Sequence, residues 1–351
     1  MRPSGVFDEC YEKDIAIVRT KGHWGLLLGG LGLLSILPSF LDAHWLATIN
    51  HIGISIIACH GLSILMGYTG QVSIGQAAFV AVGAYAAGIL SAKSGWPFWA
   101  AIPISGLAAG SVGLLFGTPS LKIKGFYLAM ATLSAQFIIP WIINHVRVDI
   151  TGGVFSLVVP PPRLWGIVLN TQFKMFYLIM FIAIIMTFFA KNLVRSDIGR
   201  AFIAIRDNDL AAEVMGINIF RYKLLSFFIC SFFAGIAGAL WAFWMRAINT
   251  DHFTLRESVW YMGMIITGGM GSTAGAIFGV IYVTMLDELA RAFAPYLGRF
   301  LPPTASVGAE LALEPIFFGC GILFFVILEP RGIAHRWEMF KAYYRLWPFS
   351  Y

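Results

Sequence analysis

Charged residues are scarce in this chain of 351 residues. Asp, Glu, Lys and Arg together make up 12% of it, whereas they make up about 25% of a typical soluble domain. Hydrophobic residues make up 58%, which argues against an ordinary water-soluble domain and indicates a polytopic helical membrane protein. Basic residues that flank membrane spans account for the net charge of +6, so we predict a lipid bilayer and no nucleic acid as a partner.

Residue patterns for metal binding, redox chemistry and hydrolysis are also missing. The four cysteines include no C-x-x-C pair, the seven histidines no H-E-x-x-H, and the serines no G-x-S-x-G. The sequence contains no G-x-x-x-x-G-K-[ST] loop, so ATP would have to be bound by another polypeptide. We therefore predict no metal site, no bound cofactor and no enzymatic activity in this chain.

The first 24 residues do not resemble a cleaved signal peptide. Asp8, Glu9, Glu12 and Asp14 precede the first apolar run, where a signal peptide would be basic. No small-x-small cleavage site follows that run. We expect the first span to be retained, with residues 1–24 as a cytoplasmic tail.

Ten apolar segments follow one another along the chain, and most are long enough to cross a hydrocarbon core of about 30 Å as helix. They lie at about 25–41, 45–66, 73–92, 97–117, 126–143, 175–190, 224–245, 258–269, 273–294 and 314–329. Segment 258–269 is short and could be a re-entrant loop. With ten crossings, the cytoplasmic segments hold 16 of the 24 Lys and Arg, whereas a re-entrant loop would give an even split. The charge bias therefore favours ten crossings within 25–330, with the tail 331–351 also cytoplasmic.

A helix is predicted inside the longest charged segment. Leu210, Val214 and Ile217 recur at helical spacing and form one apolar stripe. Asn208, or the aspartate on either side of it, can cap the start of this helix. Gly216 is a natural residue to end it.

The charged segment itself, residues 191–223, carries six basic and four acidic residues. It cannot lie in lipid, because each charge would cost about 2.5–3.5 kcal/mol at the bilayer centre. Its helix could rest on the lipid surface, but such helices favour a polar face rich in Lys and Arg. Asp209 and Glu213 lie one turn apart on this one, which favours a protein partner.

The stretch GYTGQVSIGQ at 67–76 places polar residues between two apolar segments. Interrupted helices expose backbone N–H and C=O groups that can bind a zwitterion or an ion. The same residues could instead form an interfacial turn that is hydrogen-bonded within the chain. The candidate residues of a translocation path are Gly67, Thr69, Gly70, Gln71, Ser73 and Gln76. A related pattern, GGMGSTAGAIFG at 268–279, leaves an internal repeat open.

Small residues recur every four positions in several segments. The clearest sets are Gly271, Gly275 and Gly279, the pair Gly106 and Gly110, and the pair Gly113 and Gly117. Such stripes let helix backbones approach closely. Packing within the chain is the expected role, and a subunit contact or a path lining is the alternative.

Acidic residues inside the apolar segments are few. Asp287 and Glu288 lie late in the ninth segment, and Arg291 follows one turn later. We expect an interfacial ion pair there. The shortage of unpaired buried carboxylates argues against a proton-coupled carrier.

Four blocks of the sequence resemble one family, in the same order. They are GYTGQVSIGQAAFVAVGAYAAGIL at 67–90, GRAFIAIRDNDLAAEVMGINIFRYKLLSFFICSFFAGIAGALWAF from Gly199, GGMGSTAGAIFGVIYVTMLDELAR at 268–291 and EPRGIA at 329–334. Together they resemble the inner-membrane permeases of branched-chain amino acid ABC importers, specifically the M-type subunit. The resemblance implies an all-α, type II ABC-importer-like permease in the cell inner membrane.

The resemblance also implies partners and a docking site. The partners would be a second homologous permease subunit, two cytoplasmic ATP-binding subunits and a periplasmic substrate-binding protein. Leucine, isoleucine or valine would enter the cytoplasm by alternating access, with ATP used by the partner subunits. The family's loop helix docks in a cleft of the ATPase. That role transfers here to Arg206, Asp207, Asn208, Ala211, Ala212, Glu213 and Gly216.

One departure from the family concerns the outer loop 144–174. Thr151, Gly152 and Gly153 are followed here by Val-Phe-Ser-Leu, where family members often have a further Gly-Leu. The loop therefore differs where a binding protein or a substrate would touch it. Urea, short amides and aromatic acids, which related permeases carry, are alternative substrates. A self-contained secondary carrier or channel is the alternative from a different class.

Overall fold

The protein is a bundle of α-helices, as its composition predicts. The computed structural model describes residues 21–120, 127–153, 155–164, 167–298 and 303–346. Most of the predicted N-terminal tail and the last five residues of the chain lie outside these ranges. The helices are α1 (Lys21–Ile36), α2 (Ala43–Leu62), α3 (Gln76–Ala92), α4 (Phe98–Ser120), α5 (Tyr127–His145), α6 (Val148–Thr151), α7 (Gln172–Arg195), α8 (Asp197–Asp207), α9 (Asp209–Val214), α10 (Ile219–Met245), α11 (Leu255–Gly268), α12 (Thr273–Gly298), α13 (Pro303–Leu328) and α14 (Ile333–Leu346).

Short elements join these helices. A π-helical turn, Ser63–Tyr68, continues α2, and 3-10 turns lie at Leu37–Ser39 and Thr250–His252. Two antiparallel pairs of two-residue strands form in the loops: β1 (Leu157–Val158) with β4 (Ala247–Ile248), and β2 (Arg163–Leu164) with β3 (Ile167–Val168). The sequence pattern does not indicate these strands, because two residues are too few to show an alternation.

Among the residues that the structure describes, six helical stretches are long and apolar enough to cross a membrane. They are Ala43–Tyr68, Phe98–Thr118, Tyr127–His145, Gln172–Arg195, Ile219–Met245 and Thr273–Tyr296. Ala312–Leu328 and Ile333–Tyr343, which are bent by 46° to each other, add a seventh if they count as one span. The other three predicted segments form the shorter helices α1, α3 and α11. A polytopic helical membrane protein is thus confirmed, while the number of ten crossings stays a prediction.

Helix α10 lies at the centre of the bundle and packs against α2, α3 and α4. Its contact with α3 is very close. A Cβ atom at Gly238 would lie 2.0 Å from the carbonyl oxygen of Val80, and one at Gly83 would lie 2.2 Å from that of Gly235. Both positions therefore need glycine, since the two backbones touch there.

The predicted small-residue stripes also serve packing within the chain. Gly106 and Gly110 lie against phenylalanine side chains of α10. Gly275 and Gly279 lie against backbone carbonyls of α11, which lets α11 and α12 pack tightly side by side. The expectation that these stripes pack helices inside one chain is confirmed for these residues.

Three loops and the charged segment share one end of the bundle, which we call the charged end. Gly67 at the end of the π-helical turn touches Gly271, which follows α11. Gly332, which follows α13, touches Gly269. Arg206 of the charged segment bonds to Gly67. Helices α11 and α13 therefore end on the same side, as ten crossings require.

Candidate functional site

The charged segment, residues 191–223, folds as two helices that meet at one residue. That residue is Asn208, whose extended backbone angles (φ −159°, ψ 108°) separate α8 from α9. Its side chain accepts a hydrogen bond of 3.1 Å from the Ala211 amide and so caps α9. Gly216, with φ +86°, ends the turn that follows α9. The predicted cap and end are confirmed, whereas the separate helix α8 is not indicated by the sequence pattern.

Helix α8 is held against the bundle. Phe202 and Ile205 are buried on its inner face. The Phe202 ring meets that of Tyr222 edge to face, with 6.3 Å between their centres. A Cβ atom at Gly199 would lie 2.0 Å from the carbonyl oxygen of Val194, so the turn from α7 into α8 is tight as well. The start of the charged segment therefore belongs to the folded core.

Helix α9, by contrast, projects from the bundle. Leu210, Val214 and Met215 are all exposed, and Val214 reaches 87%. Ala212, on the same helix, is only 3% exposed. Exposed apolar side chains that lie close together mark sites where another molecule binds, so these three form a surface that another molecule can cover. We call Leu210, Val214 and Met215 the α9 surface.

The residues predicted to contact an ATPase do not all face outward. Ala212 is buried and so cannot meet a partner directly. The Arg206 guanidinium turns toward the bundle and bonds to Gly67. Arg206 is nevertheless partly exposed, with 39% of its side chain accessible. The remaining five are exposed as well: Asp207, Asn208, Ala211, Glu213 and Gly216.

The residues predicted to line a path lie at the end of the π-helical turn, in the stretch after it and at the first position of α3. We call residues 67–75 the first break. The side chains of Thr69, Gln71, Ser73 and Gln76 are all buried. Gln71 donates a hydrogen bond of 2.8 Å to Ser226, and Gln76 donates one of 2.9 Å to the Ala58 carbonyl. Thr69 donates back to the turn that precedes it. This is the internally bonded turn that the sequence left as the alternative, although the Ser73 hydroxyl is buried without a partner among the described residues.

The backbone amides at the start of α3 are occupied too. Gly75 precedes α3 and has no side chain with which to cap it. Side chains from elsewhere supply the caps: Thr132 accepts from the Ile74 amide at 3.0 Å, Ser258 from the Ala77 amide at 2.9 Å, and Gln136 from the Ala78 amide at 3.0 Å. The expectation that free amides here could bind an ion or zwitterion is therefore wrong for these three groups.

The first break of the chain contacts a second one, residues 269–272 between α11 and α12. A Cβ atom at Gly67 would lie 2.1 Å from the Gly271 amide nitrogen. Both breaks contain glycines with positive φ, Gly70 at +69° and Gly271 at +78°. The two motifs that suggested an internal repeat therefore meet in space.

The opposite end of the bundle carries ion pairs. Arg291 donates to Asp287 at 2.8 Å, so the predicted pair is confirmed. Glu288 accepts a hydrogen bond of 2.8 Å from Thr48 and lies 3.2 Å from the His44 ring nitrogen. These partners on α2 are missed by sequence reasoning, because they lie about 240 residues away along the chain. Within the ranges that the structure describes, no three His, Cys, Asp or Glu side chains could hold a metal ion together.

Comparison with known proteins decides the family. The family described as branched-chain amino acid transport system, permease component, matches residues 45–326. The chain belongs to this family. The matched range runs from α2 to α13 and includes the charged segment and both breaks.

Individual relatives agree with this assignment. The LivM permease protein of the high-affinity branched-chain amino acid transport system of Escherichia coli K12 is 31% identical over 69% of this chain. A probable LivM of Methanocaldococcus jannaschii is 24% identical over 66% of this chain and 67% of its own length. The fructose import permease FruG of Bifidobacterium longum is 25% identical over 76% of both chains. The chain spans 63% of the length of the Escherichia coli relative, and no solved structure matches it.

Proposed function

We propose that the chain is the membrane-spanning permease subunit of an ATP-driven importer of branched-chain amino acids. The family match and the names of the LivM relatives support this substrate class. Leucine, isoleucine or valine would pass into the cytoplasm by alternating access. ATP would be bound and hydrolysed by partner subunits, and this chain would bind no cofactor of its own.

The observation that carries the proposal is the exposed α9 surface. Leu210 and Val214 are exposed on this short capped helix, and Met215, the residue that follows it, is exposed too. Such a helix, on a charged segment between two long spans, suits insertion into a groove of a soluble protein. The exposed Glu213 beside it adds charge that a lipid surface would not favour. An ATP-binding subunit is the partner that an importer needs at this position.

The proposed assembly contains two cytoplasmic ATP-binding subunits, a second homologous permease and a periplasmic binding protein. The chain would lie in the cell inner membrane with both termini in the cytoplasm. The path would run beside the first break, where Gly70 and Val72 are exposed while Gln71 and Gln76 are bonded inside the chain. The first break would then shape the path through its backbone more than through its polar side chains.

Coupling requires that α9 interact differently with the two states of the ATPase. When ATP closes the ATPase dimer, the docked α9 moves with it. Helix α8 is packed in the bundle through the buried Phe202 and Ile205. Because α8 is held in this way, the movement of α9 is transmitted to the spans. The two permease subunits then change the side on which the path is open.

Substitution at the α9 surface tests the docking role. We expect Val214→Arg to reduce capture of the ATP-binding subunits by the tagged chain, because the charge would have to be buried in an apolar groove. The conservative Val214→Ile is the matched control and should capture them normally. Equal capture and equal uptake by both variants, at equal amounts in the membrane, would refute the docking of α9.

The substrate is tested separately by uptake into a deletion strain that carries the complete transporter. We expect labelled leucine, isoleucine and valine to be taken up, with the periplasmic binding protein required. Urea, a short amide, an aromatic acid and fructose serve as competitors. Uptake of any of these four in labelled form, with no uptake of labelled leucine, would replace the proposed substrate class while leaving the docking result in place.

A further inference from the structure

The two breaks form one contact at the charged end. Gly67 and Gly271 touch backbone to backbone, since a Cβ atom on Gly67 would lie 2.1 Å from the Gly271 nitrogen. Each break separates two helices: α2 with its π-helical turn from α3, and α11 from α12. A change in this contact therefore bears on four helices together, and α2 and α12 among them are long enough to cross a membrane.

Arg206, at the end of α8, reaches both breaks. Its Nη1 atom donates a hydrogen bond of 3.0 Å to the Gly67 carbonyl oxygen. The same atom lies 3.5 Å from the position of a Cβ atom on Gly271. The Arg206 Cγ lies 3.2 Å from the position of a Cβ atom on Gly70. Gly70 and Gly271 thus border the arginine side chain, and Gly67 offers it a backbone carbonyl.

The Gly67 carbonyl is a suitable acceptor for a cation. It lies at the end of the π-helical turn Ser63–Tyr68, where the last carbonyl groups of a helix lack partners in the helix itself. The negative end of the helix dipole also favours a positive charge there. Turns of this π-helical kind are frequent at functional sites.

The neighbouring acid holds the guanidinium in place. Asp207 accepts a hydrogen bond of 3.0 Å from Arg206 Nε and lies 2.9 Å from its Nη2. Arg206 therefore contacts Asp207 through Nε and Nη2 and donates to the Gly67 carbonyl oxygen through Nη1. A planar group with several fixed donors can make both contacts, whereas the single ammonium of lysine cannot make all three bonds.

We infer that Arg206 is a positioning residue that transmits movement of the charged segment to the two breaks. The inference rests on the proposed function, because the docked ATPase would supply the movement. Asn208 separates α8 from the exposed α9, and Arg206 lies two residues before it. On the side of α8, a displacement of α9 therefore reaches Arg206 before it reaches a long span. On its other side α9 leads directly into α10, where Asp209 lies 3.9 Å from the Lys223 ammonium.

The alternative is that Arg206 only holds the fold together, and the experiment must separate these roles. The complete transporter is prepared in membrane vesicles with Val72→Cys as a reporter, since Val72 is an exposed residue of the first break. Cys10 and Cys320 are replaced by serine, because Cys320 is exposed. Maleimide labelling of the reporter is compared with and without ATP, together with leucine uptake and capture of the ATP-binding subunits.

We expect ATP to change the labelling rate in the otherwise unaltered chain. Arg206→Gln should still capture the ATP-binding subunits, but should lose the ATP-dependent change in labelling. Its uptake should fall by about tenfold or more, the equivalent of one charge-assisted hydrogen bond. Arg206→Lys should restore part of the ATP-dependent change in labelling and part of the uptake. Arg200→Gln is the matched control, because Arg200 lies on the same helix and pairs with Asp197.

The outcomes distinguish a failure of the inference about Arg206 from a failure of the proposed function. If Arg206→Gln keeps the ATP-dependent labelling and normal uptake, the inference is overturned. It is also overturned if Arg206→Gln loses capture of the ATP-binding subunits, because Arg206 would then act in docking. If the chain with Arg206 intact captures no ATP-binding subunit, the proposed function fails and the inference fails with it.

Discussion

Gln136 on α5 accepts a hydrogen bond of 2.8 Å from the Ser258 hydroxyl on α11, and both side chains are buried. Gln136 also accepts a hydrogen bond from the Ala78 amide, and Ser258 accepts one from the Ala77 amide, in the first turn of α3. A helix that starts inside the bundle has free amides that water cannot reach. Two helices distant in sequence therefore cap a third, and this fixes where the first break ends.

We expect Gln136→Leu to destabilise the folded chain. Leucine has a similar size, but it leaves the Ala78 amide and the Phe253 carbonyl without their partner. A buried group left unpaired costs about 1–3 kcal/mol, and single hydrogen bonds in membrane proteins are worth about 0.6 kcal/mol on average. We therefore expect the free energy of unfolding to fall by about 1–3 kcal/mol. The measurement is the midpoint of thermal unfolding in detergent, which should be lower.

Ser134→Ala is the control for this loss. Ser134 lies on the same helix and is exposed, and its hydroxyl donates to the Met130 carbonyl of its own turn. Removing it leaves no buried group unpaired, so its midpoint should stay close to that of the unaltered chain. A midpoint for Gln136→Leu as high as that for Ser134→Ala would contradict the capping role.

Features that depend on neighbouring residues could be read from the sequence. The charged segment, the Asn208 cap and the Gly216 end follow from spacing within one turn or two, and the structure has all three. The pairing of Asp287 with Arg291 is also a contact between adjacent turns. Local spacing predicts these features because helix geometry alone brings the residues together.

Features that depend on distant residues could not be read in this way. The polar residues of the first break look like a ligand site, because the sequence does not show that Ser226 and Ala58 take their hydrogen bonds. The contact between Arg206 and Gly67 joins residues 139 positions apart. The separation of α8 from α9 also depends on packing, since burial of Phe202 holds α8 against the bundle.

The crossing of α3 and α10 gives a second stability prediction. At Gly238, a Cβ atom would lie 2.0 Å from the Val80 carbonyl oxygen and 2.8 Å from the Ala84 nitrogen. Both atoms belong to the backbone, so Gly238→Ala must push the helices apart. We expect the free energy of unfolding to fall by about 1–3 kcal/mol, the usual range for an overpacked core. We also expect a smaller monodisperse fraction in detergent.

Gly319→Ala is the matched control for this change. Gly319 also lies in a long helix, α13, but a Cβ atom there has nothing within 4 Å. Alanine is favoured over glycine inside a helix by about 1 kcal/mol, so this variant should be neutral or slightly stabilised. If Gly238→Ala behaved like Gly319→Ala, the close approach of α3 and α10 would not exist in the membrane.

The number of crossings can be decided by labelling single cysteines with an impermeant maleimide. The reporters are Phe155→Cys in the loop after α5, Asp197→Cys in the charged segment and Tyr343→Cys on α14, three exposed positions. Serine replaces Cys10 and Cys320. In cells with a permeable outer membrane only Phe155→Cys should react. The other two should react after the inner membrane is opened.

The decisive comparison is between Asp197→Cys and Tyr343→Cys. Ten crossings place four spans between these positions, so both must lie on the cytoplasmic side. If 258–269 turned back without crossing, three spans would separate them and Tyr343→Cys would react from outside. Because α11 has 14 residues, its rise is about 21 Å, and the loop beside Gly269 must complete its passage. Contact between Gly269 and Gly332 at the charged end supports the crossing, and external labelling of Tyr343→Cys would contradict it.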